Sequence, residues 1–66
     1  MFIKQLRERL GFSQKEVSEK VGISQNALCQ YEKGVRKPPI KILIKLADFF
    51  GCTIDELVRG GEKSEL

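Results

Sequence analysis

Residues 12–34 read FSQKEVSEKVGISQNALCQYEKG, and this pattern predicts two short helices separated by a tight turn. Ser13 and Glu16 stand in the spacing of a capping box, so the first of the two helices should begin at Ser13. Gly22 should end it after about two turns, because glycine tolerates the left-handed backbone of a helix end. Ser24 has the residue type of an N-cap, so the next helix should begin at once.

Three further helices are predicted around this pair. Apolar side chains in residues 2–10 follow a three-to-four spacing, which indicates helix 1. Helix 4, from about residue 39 to residue 50, is apolar almost all round, so we expect it at the buried centre of the domain. A second capping-box pattern starts at Thr53 and predicts helix 5, which should end near Arg59.

The length and pattern of the chain bound its architecture. Its 66 residues, of which 41% are apolar, suffice for one small core and are too few for two domains. No strand-like alternation or internal repeat is present in the sequence, so the predicted class is all-α with five short helices. We expect one domain over residues 1–59 and a polar C-terminal tail over residues 60–66.

The composition argues against several kinds of chemistry. The chain has no histidine, which removes the commonest general base and the commonest metal ligand. Cys29 and Cys52 match no zinc-ligand spacing. A unit of this size also has little room for a catalytic cleft beside its core. We therefore expect no enzyme activity, no metal, no cofactor and no small-molecule ligand.

The charge distribution hints at an anionic partner. The formal net charge is +3, and the basic side chains concentrate in residues 1–11 and 35–45. No apolar run is longer than Ile42-Leu43-Ile44, which is too short for a signal sequence or a membrane span. The sequence thus predicts a cytoplasmic protein without a membrane partner.

Two short helices joined by a tight glycine-containing turn have the geometry of a helix-turn-helix, whose second helix enters the DNA major groove. The run from Phe12 to Gly34 resembles the helix-turn-helix of the phage repressor and Cro type, a large family of small bacterial and phage regulators. The resemblance covers residues 2–59 and includes Pro38 and the run Ile54–Val58. It implies a lambda-repressor-like domain with helices 2 and 3 as the helix-turn-helix.

Helix 3 carries side chains suited to reading bases. Gln25 and Asn26 lie in its first turn, and Gln30 lies about one turn further on. An amide offers a donor and an acceptor together, so it can bond an adenine edge in a bidentate manner. By the resemblance, the residues expected to contact bases are Ser24, Gln25, Asn26 and Gln30. The alternative is that these are merely polar residues facing solvent.

The resemblance also implies contacts to DNA phosphates. Ser13 and Gln14 stand at the start of helix 2, where the helix dipole favours an anion. Lys33, Arg36 and Lys37 would meet the DNA backbone beside the groove. Arg36→Ala should therefore weaken binding to all sequences alike and flatten the salt dependence. They could instead be ordinary solubilising charges.

Arg7 and Glu32 match positions that form a partly buried ion pair in related domains. Such a pair would tie helix 1 to the end of helix 3 and so orient the recognition helix. The alternative is two unrelated surface charges.

The sequence also suggests a dimer, because one domain reads too few base pairs for genomic selectivity. Two copies would place their recognition helices about 34 Å apart, one turn of DNA. By resemblance, the expected dimer surface consists of Ile40, Ile54, Val58 and Arg59. The predicted function is a sequence-specific regulator of transcription that binds double-stranded DNA, most simply a repressor acting as a homodimer on a pseudo-palindromic operator.

Other functions are compatible with the same fold. The chain could be the controller protein of a restriction-modification operon, or an antitoxin-type autoregulator. A protein-interaction module that has lost DNA binding is a rival of another class. That rival predicts an apolar or acidic exposed side on helix 3, whereas the side in this sequence is rich in amides.

Overall fold

A computed structural model describes residues 1–60 of the protein. These residues contain five α-helices and no strand, so the predicted all-α class is confirmed. The helices are α1 (Ile3–Leu10), α2 (Gln14–Val21), α3 (Gln25–Lys33), α4 (Ile40–Phe50) and α5 (Ile54–Arg59). Of the predicted C-terminal tail, residues 61–66 lie outside the described part of the chain.

The turn between α2 and α3 is short, and side chains define the helix starts on both sides of it. Ser13 Oγ accepts a hydrogen bond from the Glu16 N–H at 3.0 Å, and the Glu16 carboxylate accepts one from the Ser13 N–H at 2.8 Å. Ser24 Oγ accepts from the Ala27 N–H at 3.0 Å. Gly22 ends α2 with a φ of 84°, a left-handed conformation that glycine adopts without strain. The two helix starts predicted from the sequence are therefore present.

The hydrophobic core takes side chains from all five helices. Its buried residues are Ile3, Val17, Val21, Leu28, Tyr31, Leu46, Phe50 and Leu57. Helix α3 packs against α1 and α2, while α4 packs against α1, α2 and α5. Helix α3 is thus anchored along one side only, through Leu28 and Tyr31.

Helix α4 is less buried than its composition suggested. Leu46, Ala47 and Phe50 are buried, but Ile40 is 63% exposed and Ile44 is 46% exposed. The prediction of a buried central helix is therefore wrong for one side of α4. The exposed side also carries Lys41, Lys45 and Asp48, so solvent reaches a wider part of α4 than this narrow polar stripe indicates.

Two helices begin one residue later than predicted. Pro39 precedes α4 as its cap residue with a ψ of 160°, because the proline ring fixes φ but leaves ψ free to stay extended. Phe2 precedes α1 with a non-helical ψ of 32°. Its backbone N–H donates to the Leu57 carbonyl at 2.8 Å, which joins the N-terminus to α5.

Thr53→Ala should lower the free energy of unfolding by about 1 kcal/mol, the usual contribution of an N-cap side chain. Thr53 Oγ1 accepts from the Glu56 N–H at 3.0 Å, and the Glu56 carboxylate accepts from the Thr53 N–H at 2.9 Å. Thr53→Ser is the control, since it keeps the accepting oxygen and should unfold close to the wild type. Urea titration followed by circular dichroism measures both variants. Equal losses in the two would show that the cap contributes nothing.

Candidate nucleic-acid interface

The start of α3 stands clear of the protein body. Ser24, Gln25 and Asn26 are exposed, and Gln30 is half-buried. The same helix is held in the core by the buried Leu28 and Tyr31. Asn26, Gln30 and Lys33 are spaced three or four residues apart, so they share the face that points away from the core, and Gln25 is exposed beside this face in the first turn. The first turn of α3 is therefore free to approach another molecule.

Arg7 and Glu32 form a buried ion pair behind this helix. Arg7 Nε donates to Glu32 Oε2 at 2.7 Å, and Arg7 Nη2 donates to Glu32 Oε1 at 3.2 Å. Arg7 Nη1 donates to the Phe12 carbonyl at 2.9 Å, and the Glu32 side chain is only 3% exposed. The hydrogen bond to Glu32 raises the pKa of Arg7 above its ordinary value, against the lowering effect of burial. The pair joins α1 to the last turn of α3.

Two glutamines extend this pair to the surface. Gln14 Nε2 donates to Glu32 Oε1 at 2.9 Å, and Gln25 Nε2 approaches Gln14 Oε1 at 3.5 Å. We call Arg7, Glu32, Gln14 and Gln25 the interior polar chain. A carboxylate only accepts hydrogen bonds, so Gln14 must turn its NH₂ group to Glu32 and its oxygen to Gln25. Gln25 then keeps a free oxygen and one free N–H at the surface.

The predicted phosphate contacts at the start of α2 are already engaged within the protein. The Ser13 hydroxyl caps α2, and the Gln14 amide donates to Glu32. The Glu16 N–H of the first turn is bonded to Ser13 Oγ, whereas the N–H groups of Gln14 and Lys15 precede the helical hydrogen-bond ladder and can still meet an anion. Sequence reasoning missed the contact between Gln14 and Glu32, because residues 18 positions apart give no periodic signal.

The predicted basic contacts gather at the other end of α3. Lys33, Arg36 and Lys37 are all exposed. They contribute to a shallow concavity of about 400 Å³, which is lined by Met1, Tyr31, Glu32, Lys33, Gly34, Arg36 and Lys37. The concavity adjoins the C-terminal turn of α3, so the cations flank the same helix that presents the amides.

Arg36 makes two contacts that sequence reasoning missed. Its guanidinium carbon lies 5.6 Å from the centroid of the Tyr31 ring, and its Nη1 donates to Gln30 Oε1 at 3.2 Å. The contact with the ring has a signal in the sequence. Tyr31 and Arg36, an aromatic residue and a cation, stand on either side of Gly34, which ends α3. Gly34 turns the chain back at that point with a φ of 77°.

The predicted dimer residues differ in exposure. Ile40 and Val58 are exposed, the latter at 39%, whereas Ile54 is half-buried. Arg59 is exposed and lies 3.2 Å from the Asp55 carboxylate one turn earlier in α5. The exposed apolar residues of this region therefore come from the first half of α4 and from α5.

Two negative findings concern residues 1–60 alone. In that part of the chain, no group of three or more histidine, cysteine, aspartate or glutamate side chains could hold a metal ion. None of its helices combines the length and the apolar character that crossing a bilayer requires.

The geometry agrees with what comparison with known proteins shows. A model of the helix-turn-helix family matches residues 3–57. The chain belongs to this helix-turn-helix family. Family membership confirms the resemblance drawn from the sequence, and α2 and α3 are its helix-turn-helix.

Named relatives include regulators of transcription. The chain is 38% identical over 60 residues to the cryptic phage CTXphi transcriptional repressor RstR of Vibrio cholerae, covering 91% of this chain and 54% of RstR. It is 35% identical over 63 residues to the HTH-type transcriptional regulator ImmR of Bacillus subtilis, covering 96% of this chain and 50% of ImmR. The chain thus spans about half the length of these curated relatives.

A solved structure shares the fold. The N-terminal DNA-binding domain of SinR from Bacillus subtilis superposes with a TM-score of 0.79 at 31% sequence identity. The match covers 96% of this chain and 90% of the SinR domain. The lambda-repressor-like arrangement of five helices is therefore that of a known DNA-binding domain.

Proposed function

We propose that the chain binds double-stranded DNA in a sequence-specific manner and regulates transcription. The observation that carries this proposal is the position of Gln25 and Asn26, exposed on the first turn of a helix that Leu28 and Tyr31 hold in the core. A helix presented in this way fits the major groove, where base edges differ in their donors and acceptors.

The charge around α3 supports the same function. Lys33 ends α3, and Arg36 and Lys37 follow it in the loop; all three are exposed, so docking of α3 in a groove brings them close to phosphates. The first turn of α2 offers backbone N–H groups to another phosphate. Such contacts set the register of a protein on DNA, while the amides of α3 set its base preference.

The names of the relatives support a role in regulation. RstR is named a transcriptional repressor, and the matched part of SinR is named a DNA-binding domain. We extend this to the chain as repression by occupying an operator. The proposed regulator acts in the cytoplasm, by binding alone and without catalysis.

A homodimer is part of the proposal. Two copies related by a two-fold axis would hold their α3 helices about 34 Å apart and read the two halves of a pseudo-palindrome. Exposed Ile40 and Val58, with Ile54 and Arg59, supply the surface that we propose for pairing. Apolar side chains left in water gain most from burial against a second copy.

A protein-interaction module is less well supported by the exposed surface of α3. That surface carries Gln25, Asn26 and Lys33, and it is neither apolar nor acidic. Controllers of restriction-modification operons and antitoxin-type autoregulators share DNA binding with the proposed function. A restriction-modification controller differs from the proposed regulator in the genes that it controls, and an antitoxin differs in binding a toxin as well as DNA.

The decisive experiment is selection of bound DNA from a random pool by the purified chain. We expect an enriched site with two-fold symmetry and half-sites one helical turn apart. A symmetric site supports both DNA reading and dimerisation. Failure to enrich any sequence, at low as well as physiological salt, would overturn the proposal.

Lys37→Ala should weaken binding to all sequences alike and reduce the slope of log affinity against log salt by about 1. The physical reason is that each phosphate neutralised by a lysine releases condensed counterions. Lys45→Ala is the matched control, because Lys45 is an exposed lysine on α4 that we assign no phosphate. Fluorescence anisotropy at several salt concentrations measures both slopes. Equal slopes of log affinity against log salt for the two variants would show that Lys37 contacts no phosphate.

A further inference from the structure

We propose that Arg36 sets the base preference of Gln30, so that the two residues together favour guanine over adenine. This inference rests on the proposed function, in which α3 lies in the major groove. It goes beyond that function because it turns Arg36 from a general phosphate contact into a specificity-determining residue.

The loop after α3 is attached to Gln30 through both backbone and side chain. The N–H groups of Val35 and Arg36 donate to the Gln30 carbonyl at 3.0 and 3.4 Å. Arg36 Nη1 donates to the side-chain oxygen of Gln30 at 3.2 Å. These bonds hold the Arg36 backbone close to Gln30, within reach of the side-chain contact.

The Arg36 side chain is supported from a second direction. Its guanidinium lies 5.6 Å from the centroid of the Tyr31 ring, within the range of a cation–π contact. Tyr31 is part of the core, so the ring is a fixed platform. A guanidinium held by a ring on one side and an amide on the other is oriented before any DNA arrives.

The chemistry of the guanidinium determines how the Gln30 amide is turned. Arginine has only donors, so Gln30 must present its oxygen to Arg36 and direct its NH₂ group elsewhere. The oxygen then carries one hydrogen bond and lies beside a positive charge. A hydrogen-bond donor on a base is therefore disfavoured at the Gln30 oxygen. A hydrogen-bond acceptor on a base can bind the free N–H groups of Gln30 and Arg36.

Adenine and guanine differ in the donors and acceptors that they present in the major groove. Adenine offers one acceptor and one donor in the major groove, whereas guanine offers the two acceptors O6 and N7. The combined N–H groups of Gln30 and Arg36 match the guanine edge. The bidentate adenine contact expected for a free glutamine at position 30 would make the adenine amino group share the Gln30 oxygen with Arg36, whose positive charge repels a second donor.

Gln25 provides the contrast within the same helix. Its Nε2 is turned toward Gln14, which leaves its oxygen and one N–H free. Gln25 thus keeps the donor and the acceptor that adenine requires, whereas the acceptor of Gln30 is shared with the positively charged Arg36. Two glutamines of one recognition helix are accordingly set for different bases by their neighbours.

Arg36→Ala should move the preference of residue 30 from guanine toward adenine. We would select DNA from a random pool with the wild type, Arg36→Ala, Gln30→Ala and Lys37→Ala. The base pair facing residue 30 is the one whose preference disappears in Gln30→Ala. At that pair, the ratio of selected sites with guanine to selected sites with adenine should be lower by about fivefold or more for Arg36→Ala than for the wild type. About fivefold is the lower end of the discrimination expected of a good base contact.

The controls separate this inference from the function on which it rests. Lys37→Ala should weaken all sequences and leave the ratio unchanged. If Arg36→Ala behaves like Lys37→Ala, or if the wild type prefers adenine at that pair, the inference is overturned while sequence-specific binding stands. If the wild type enriches no sequence, the proposed function falls and the inference falls with it. Arg36 is exposed, and the thermal unfolding of each variant verifies that it is folded.

Discussion

Arg7→Met should lower the free energy of unfolding by about 3–5 kcal/mol, the usual effect of removing one partner of a buried ion pair. Its cause is the charge left on Glu32, whose side chain is 3% exposed and would lose both hydrogen bonds from Arg7. The Phe12 carbonyl would also lose its donor. A domain of this size has a total stability of roughly 3–10 kcal/mol, so much of the population should be unfolded.

Urea unfolding of matched variants tests this expectation. Arg9→Met removes an exposed arginine from the same helix and should change stability by no more than about 0.5 kcal/mol. Adding Glu32→Met to Arg7→Met should recover much of the loss, because a buried pair can often be replaced by apolar side chains of similar size. If Arg7→Met loses no more stability than Arg9→Met, the pair does not hold α1 and α3 together.

Gln25→Ala should weaken binding to the selected site by about 1–3 kcal/mol and abolish the preference at a single base pair. The side chain is exposed and turns a free oxygen and an N–H outward, which is the pattern that the adenine edge requires. Stability should change little, since the only side-chain hydrogen bond lost is the 3.5 Å contact with Gln14.

Titration of the variant against the selected site and its single-base changes measures this effect. Gln5→Ala is the control, because it removes the same type of side chain from an exposed position on α1. Binding by Gln5→Ala should match the wild type. An equal loss on every sequence in Gln25→Ala would mean that the residue contacts the DNA backbone and reads no base.

The elements that depend on neighbouring residues were predictable from the sequence. The capping boxes at Ser13 and Thr53 involve residues three apart, so their signals are contained in a single turn. The inward positions Leu28 and Tyr31 follow from helical periodicity. The exposure of Ile40 on α4 was not predicted, because the stripe of Lys41, Lys45 and Asp48 is narrow and does not show how far the solvent-facing side extends.

Some features of the candidate site were likewise predictable from the sequence, and others were not. The outward position of Asn26 follows from the period of α3, which buries Leu28 and Tyr31 on the other side. The bond from Gln14 to Glu32 joins two helices, and its existence depends on how closely they pack. The contact of Arg36 with Gln30 depends on the path of the loop after α3, which no local pattern specifies.

The interior polar chain bears on how the proposed DNA preference of this chain changes during evolution. Gln14 serves two purposes, since its amide links the buried Glu32 to the exposed Gln25. A mutation at position 14 would disturb both folding and recognition, so we expect few substitutions to be tolerated at that position. Asn26 is exposed and takes no part in that chain, which leaves it free to vary. Divergent operators are thus reached most easily by changing the tip of the helix and leaving the residues behind it as they are.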